Sequence, residues 1–234
     1  MRTIDANRKT AMVAGVLYLL TFVSIPTLAL YKSVHGEGYI LGPGPDTNVI
    51  IGAMLEIIVA LAGIGTAVAL YPVLKKQNEG FALGLVGSRV LEAATIFVGV
   101  MVLLTVVSVR QNSAGADSLI TARTLVTMYD RMFLIGQSFM PAVNDILLGF
   151  LLYQSRLVPR GLALVGLIGG PILIIGDILI LFSYIGQHDA TTGLFALPVA
   201  VFEFSLGIYL VIKGFKSTTK GVEMADEIIQ FGRD

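Results

Sequence analysis

Cysteine is absent from the 234 residues, which excludes disulfides, thiol catalysis and thiolate metal sites. Only two histidines occur, His35 and His188, so a metal or haem site has little material to draw on. Charge is also scarce, at 14% of residues against roughly 25% in soluble domains. So little charge cannot clothe a water-facing surface. The formal net charge is zero, and nucleic-acid binding needs a basic face, so no nucleic-acid partner is expected. What the chain has in abundance is apolar side chains, 55% of residues, with a mean hydropathy of +0.83. The solvent for most of its surface is therefore a lipid bilayer.

A spanning helix needs about 20 mostly apolar residues. Six stretches qualify: Ala11–Tyr31, Val49–Tyr71, Phe81–Val107, Leu125–Tyr153, Leu162–Ile185 and Leu194–Ile212. The gaps between them read "GEGYILGPGPD", "KKQNEG", "RQNSAGAD", "RLVPRG" and "GQHDATTG", all rich in turn and breaker residues. The fourth stretch begins amphipathically, which places its first turns at the interface. The fold class expected is all-α, a polytopic bundle of six transmembrane helices. Residues 1–215 form one domain and 216–234 a short polar tail. On an alternating path, Arg2, Arg8, Lys9, Lys75, Lys76, Arg156, Arg160, Lys213, Lys216, Lys220 and Arg233 fall on one side. Only Lys32, Arg110 and Arg123 fall on the other. The positive-inside rule then sets both termini in the cytoplasm and the protein in an inner, plasma membrane.

Eight ionisable residues interrupt the apolar stretches: Glu56, Arg89, Glu92, Asp130, Arg131, Asp145, Asp177 and Glu203. Each costs at least about 2.5–3.5 kcal/mol at the membrane centre on an insertion scale. Small residues share their helical faces: Gly52 and Gly63 with Glu56, Gly99 with Arg89 and Glu92, Ser138 and Gly149 with Arg131 and Asp145. Gly166 and Gly170 accompany Asp177, and Gly207 accompanies Glu203. Small residues mark helix contacts in membranes, so the charges are expected to face the bundle interior.

A rise of 1.5 Å per residue sorts them by depth. Arg89, Glu92, Asn144, Asp145 and Glu203 form an inner layer; Glu56, Asp130, Arg131 and Asp177 form an outer one. Arg89 and Arg131, with Glu92 and Asp145, are candidates for structural ion pairs, the partner of Arg89 across the bundle being Asp145 or Glu203. Six acids against two arginines leave an excess of four. An acid without a partner in low dielectric keeps its proton, faces water or holds a cation. Glu56, Asp177, Glu203 and Asp130 are accordingly candidates for binding a ligand or a proton, with Asp177 and Glu203 foremost. Pro26, Pro141 and Pro171 sit inside spans and are expected to kink them.

Several chemistries find no support. "GPGPD" lacks a following Lys-Ser/Thr, no HExxH or serine elbow occurs, and no lysine lies within a span. His35 and His188 belong to outer loops; a shared metal site there is an alternative that no ligand spacing supports. No metal, cofactor or catalytic residue is expected.

The stretches "AGVLYLLTFV", "RVLEAATIFVG", "FLIGQSFMPAVNDILLGFLLYQSRLVPRGLALVGLIGGP" and "ALPVAVFEFSLGIYLVIKGF" together resemble a bacterial membrane family catalogued as a domain of unknown function, number forty-three eighty-six. The resemblance runs from about Met12 to Phe215 and implies six helices without implying an activity. The "GQS" at Gly136–Ser138 stands where the resemblance leads one to expect Gly-Pro-Gly. The expected function is binding or moving a small ion or amphiphilic molecule, with proton coupling open. The alternatives are an accessory or structural membrane subunit whose charges fix helix packing, and an intramembrane enzyme acting on a lipid or quinone. A homo-oligomer or a partner subunit is left open.

Overall fold

The computed structural model describes residues 2–42, 46–112 and 116–216. It is helical throughout the described residues, with no strand among them. Seven helices carry the architecture: α1 (Arg2–Thr21), α2 (Thr47–Leu74), α3 (Glu79–Asn112), α4 (Ala116–Phe133), α5 (Met140–Ser155), α6 (Arg160–Leu181) and α7 (Ala190–Ile212). A π-helical stretch, Leu134–Phe139, joins α4 and α5 into one long rod. Six segments are therefore long and apolar enough to cross a membrane: Asn7–Ser33, Thr47–Leu74, Glu79–Asn112, Asp117–Ser155, Arg160–Leu181 and Ala190–Ile212. The chain is an integral, multi-pass membrane protein. The outward faces bear apolar side chains such as Leu61, Ile168 and Phe204, as contact with lipid requires.

The spans close into a ring. Each packs on its chain neighbours, α3 touches both α4 and α5, and α1 packs against α7 to complete the circuit. Glycine makes that closure possible. A Cβ added at Gly15 would sit 2.7 Å from the Gly207 carbonyl oxygen and 2.9 Å from the Val211 nitrogen, both rigid backbone. Arg8 seals the same seam by donating to the carbonyls of Leu210, Val211 and Ile212 at 2.9, 2.6 and 3.1 Å. These are the orphan acceptors at the end of α7. The Lys216 backbone N–H donates to the Leu157 carbonyl at 2.8 Å. The start of α1, the end of α7 and the α5–α6 loop thus share one side of the ring, called the basic side below.

Prolines act differently from place to place. Around Pro26 the first span breaks into 3₁₀ turns at Phe22–Ser24 and Tyr31–Ser33, flanking a short helix at Thr27–Leu30. Pro141 follows the π stretch in the first turn of α5, where its missing N–H matters least. Pro171 remains within a continuous α6. The polar tail, Lys220 and Arg233 included, and the glycine-proline turn at 43–45 lie outside the described residues.

On the opposite side, Arg110 ties down the segment that leads into α2. Its Nε donates to the Tyr39 carbonyl at 2.7 Å, Nη2 to the Gly42 carbonyl at 3.0 Å, and Nη1 to the Asp46 carboxylate. Tyr39 OH and Gln111 Nε2 also donate to Asp46, each at 2.8 Å. Burial pushes the Asp46 carboxyl up, but the donors Gln111, Tyr39 and Arg110 and the guanidinium charge outweigh it and hold it below its usual value. A depressed carboxyl stabilises the fold above its unfolded pKa and loses that contribution as pH falls through the folded one. The wild type should therefore unfold at a higher temperature than Asp46→Asn at neutral pH. Melting curves in detergent should show that gap closing in acid.

Candidate functional site

Two groups of polar side chains face the centre of the ring. The group nearer the basic side is built on Arg89 of α3, 2% exposed. Its Nη1 donates to both carboxylate oxygens of Glu92, one turn along, at 3.2 and 3.0 Å. Nη2 donates to the Glu203 carboxylate on α7, and to Tyr18 OH on α1 at 3.3 Å. The guanidinium also lies 5.5 Å from the centre of the Tyr18 ring, within cation–π range. Asn144 of α5 donates to Glu92 at 2.6 Å and accepts from Ser88. One arginine thus binds α1, α3, α5 and α7 together. Gly63 of α2 lies alongside it, where a Cβ would be 3.9 Å from the arginine's Cδ and Nη1.

Of the two acids expected opposite Arg89, Glu203, also a candidate spare acid, is its cross-ring partner. Asp145, expected in an ion pair, is fully buried with neither oxygen hydrogen-bonded among the described residues. The forked guanidinium meets Glu92 and Glu203 with its two terminal nitrogens, while its Nε donor has no hydrogen-bond partner among the described residues.

The second group is acidic and lacks an arginine. Glu56 of α2 accepts from Tyr129 OH at 2.6 Å and from Gln137 Nε2 at 3.0 Å. Asp177 of α6 accepts from Ser138 Oγ at 2.6 Å. Each carboxylate keeps one buried oxygen without a hydrogen-bond partner, and neither forms an ion pair among the described residues. Gln137 and Ser138 are adjacent in the π stretch, yet one reaches α2 and the other α6.

That same stretch corrects the expectation for Arg131. A π-bulge inserts one extra residue, which rotates everything before it by about 100° relative to an unbroken helix. Arg131 was placed on the Asp145 face by α-helical spacing. Across the bulge it turns outward, is exposed, and forms no ion pair among the described residues. Its neighbour Asp130 turns inward instead. The described residues therefore hold five buried acids and one buried arginine, so the excess of four persists without Arg131.

Asp130 does not join Glu56. It sits where the loops meet, with its side chain 22% exposed, 3.0 Å from His35 Nε2 and 3.6 Å from His188 Nε2. The hydrogen bond to Asp130 raises the His35 pKa, against the opposing effect of burial. His35 Nδ1 lies 2.9 Å from the Tyr31 carbonyl, and Gln187 Nε2 donates to the Asp130 carbonyl at 2.8 Å.

A cavity of about 830 Å³ is lined by the His35–Asp130–His188 cluster and by the Arg89 group, and reaches Tyr129, Gln137 and Ser138 but neither Glu56 nor Asp177. It opens beside His35 and His188, passes Val59, Phe133 and Leu173, and ends on Arg89, Glu92 and Glu203. The family follows from the sequence that builds this interior. A family's sequence profile matches residues 13–214, which takes in α2 to α7 and the last nine residues of α1.

The chain belongs to the family described as Domain of unknown function (DUF4386). Neither a curated protein nor a solved structure matches it. This DUF4386 chain therefore has to be read from its own side chains. Tyr18, Tyr129, Gln137 and the two histidines were not singled out from sequence as parts of an interior site. Tyr18 had a readable signal, since Ala11, Ala14 and Tyr18 recur at helical spacing on one buried face. The histidines had none, because 152 residues lie between them.

Removing one partner of a buried ion pair costs about 3–5 kcal/mol, because the other charge is left unpaired. Arg89→Ala should destabilise the DUF4386 bundle on that scale, and adding Glu92→Gln and Glu203→Gln should recover part of the loss. Asp145→Asn removes no hydrogen bond and should cost far less. Thermal unfolding in nanodiscs compares the three.

Proposed function

We propose that the protein binds a small amphiphilic molecule carrying a positive charge, with its apolar body in the cavity and its charged group at the Glu92–Glu203 end. The observation that carries this reading is the cavity itself, which leads from the loops to a set of two carboxylates and one guanidinium. Those three groups carry one net negative charge when ionised, and such a site favours a cation. The volume suits a small organic molecule, since ligand pockets run at about 300–1,000 Å³. Glu56 and Asp177, acids without a cationic partner, are the groups we assign to proton coupling if the molecule is moved as well as bound. We also place the basic side in the cytoplasm, on the positive-inside rule, and the protein in a bacterial plasma membrane.

The Arg89 hydrogen bonds favour a second reading, in which the inner layer only fixes helix register. Tetraphenylphosphonium, a lipophilic cation, separates the two. Binding to the protein in nanodiscs should be saturable, and weakened both in Ala200→Phe, which puts a ring into the cavity, and in Glu203→Gln. An absence of saturable binding, or equal binding by Ala200→Phe, favours the structural reading.

A further inference from the structure

His35, Asp130 and His188 come from three separate elements: the segment after the first span, the end of α4, and the α6–α7 loop. Their ligand atoms all lie within 4.8 Å of one another. Zinc–nitrogen bonds of about 2.0–2.1 Å set tetrahedral ligands roughly 3.3 Å apart. The distances from Asp130 Oδ1 to His35 Nε2 and His188 Nε2, 3.0 and 3.6 Å, bracket that value.

The tautomer of His35 adds a second observation. Its Nδ1 lies 2.9 Å from the Tyr31 carbonyl, an acceptor only, so Nδ1 must carry the hydrogen. In the neutral ring Nε2 then presents a lone pair towards the Asp130 carboxylate. In the protonated ring Nε2 donates to Asp130 across the same 3.0 Å, and a bound cation would take the place of that proton between the two groups. A carbonyl holding the far nitrogen of a histidine is the usual support of a metal ligand. Asp130 is held in place as well, by Gln187 on its carbonyl at 2.8 Å. The His188 ring packs edge-on to His35, with centroids 4.9 Å apart.

We propose that His35, Asp130 and His188 form a binding site for a divalent transition metal of the zinc class at the mouth of the cavity. Two imidazoles and one carboxylate select such an ion over magnesium or calcium, which prefer oxygen ligands. Three protein ligands leave a fourth position open. Lys32 and Arg131 line the surrounding hollows and oppose the cation. One negative carboxylate and two neutral rings must therefore supply the affinity through direct bonds. The expectation of no metal rested on the lack of local ligand spacing, which a site assembled from three separate elements does not need.

The test uses the full chain without a polyhistidine tag, stripped with chelator and held in nanodiscs. Zn²⁺ is titrated calorimetrically, and Co²⁺ replaces it for visible spectroscopy. We expect one Zn²⁺ per chain, four-coordinate Co²⁺ bands and a rise in melting temperature that Mg²⁺ does not reproduce. Affinity should fall roughly tenfold or more in His188→Ala and in Asp130→Asn. His188 is largely exposed, at 63% of its side chain, so its alanine variant should keep the metal-free melting temperature. Ala200→Phe should bind Zn²⁺ as the wild type does, which separates this site from the cavity's ligand. Binding below one equivalent, equal binding by His188→Ala, or an equal response to Mg²⁺ would overturn the proposal.

Discussion

A single buried guanidinium organises this bundle. Arg89 is hydrogen-bonded to Glu92 on its own helix, to Glu203 on α7 and to Tyr18 on α1. An arginine in the middle of a bilayer is tolerable only when its charge and donors are met by protein groups. Meeting them fixes where α1, α3 and α7 stand, and Asn144 extends the constraint to α5 through Glu92. The apolar seams then fill in around that arrangement. The Gly15–Gly207 approach shows how closely α1 and α7 are drawn together on the basic side.

The π stretch is the second device. Without it, α4 and α5 would be one regular helix, with Arg131 on the same face as Asp145. The extra residue turns Arg131 out and Asp130 in, and lets Gln137 and Ser138 reach carboxylates on different helices. Gly136 gives the stretch room against α3, since a Cβ there would lie 2.2 Å from Thr95 Oγ1. π-bulges are often found at functional sites. Here it lies between the Arg89 group and the cavity mouth, and both Gln137 and Ser138 line the cavity.

Much of this was legible in the chain. The six spans follow from run length, although the first and fourth begin as helix nine residues before their apolar stretches and α6 ends four residues short of its own. The inner layer follows from the spacing of Arg89, Glu92 and Asp145 and from depth. What was not legible depends on local departures from ideal helix or on loop paths. The outward turn of Arg131 comes from one inserted residue that no α-helical period reveals. The choice of Glu203 over Asp145 depends on which way one arginine fork points. The meeting of His35 with His188 depends on two loops that only the closed ring brings together.

The central claim is that water reaches the Arg89 layer from the His35 side through the cavity. The absence of cysteine makes a direct measurement available, because any introduced thiol is the only one. Val59→Cys and Ala200→Cys place it in the cavity wall, and Leu61→Cys, 58% exposed, places it on the outer face. The account predicts that a charged, membrane-impermeant methanethiosulfonate labels the two cavity positions from one side of a sealed vesicle and leaves Leu61→Cys unlabelled. Protection of both cavity positions from both sides would contradict it.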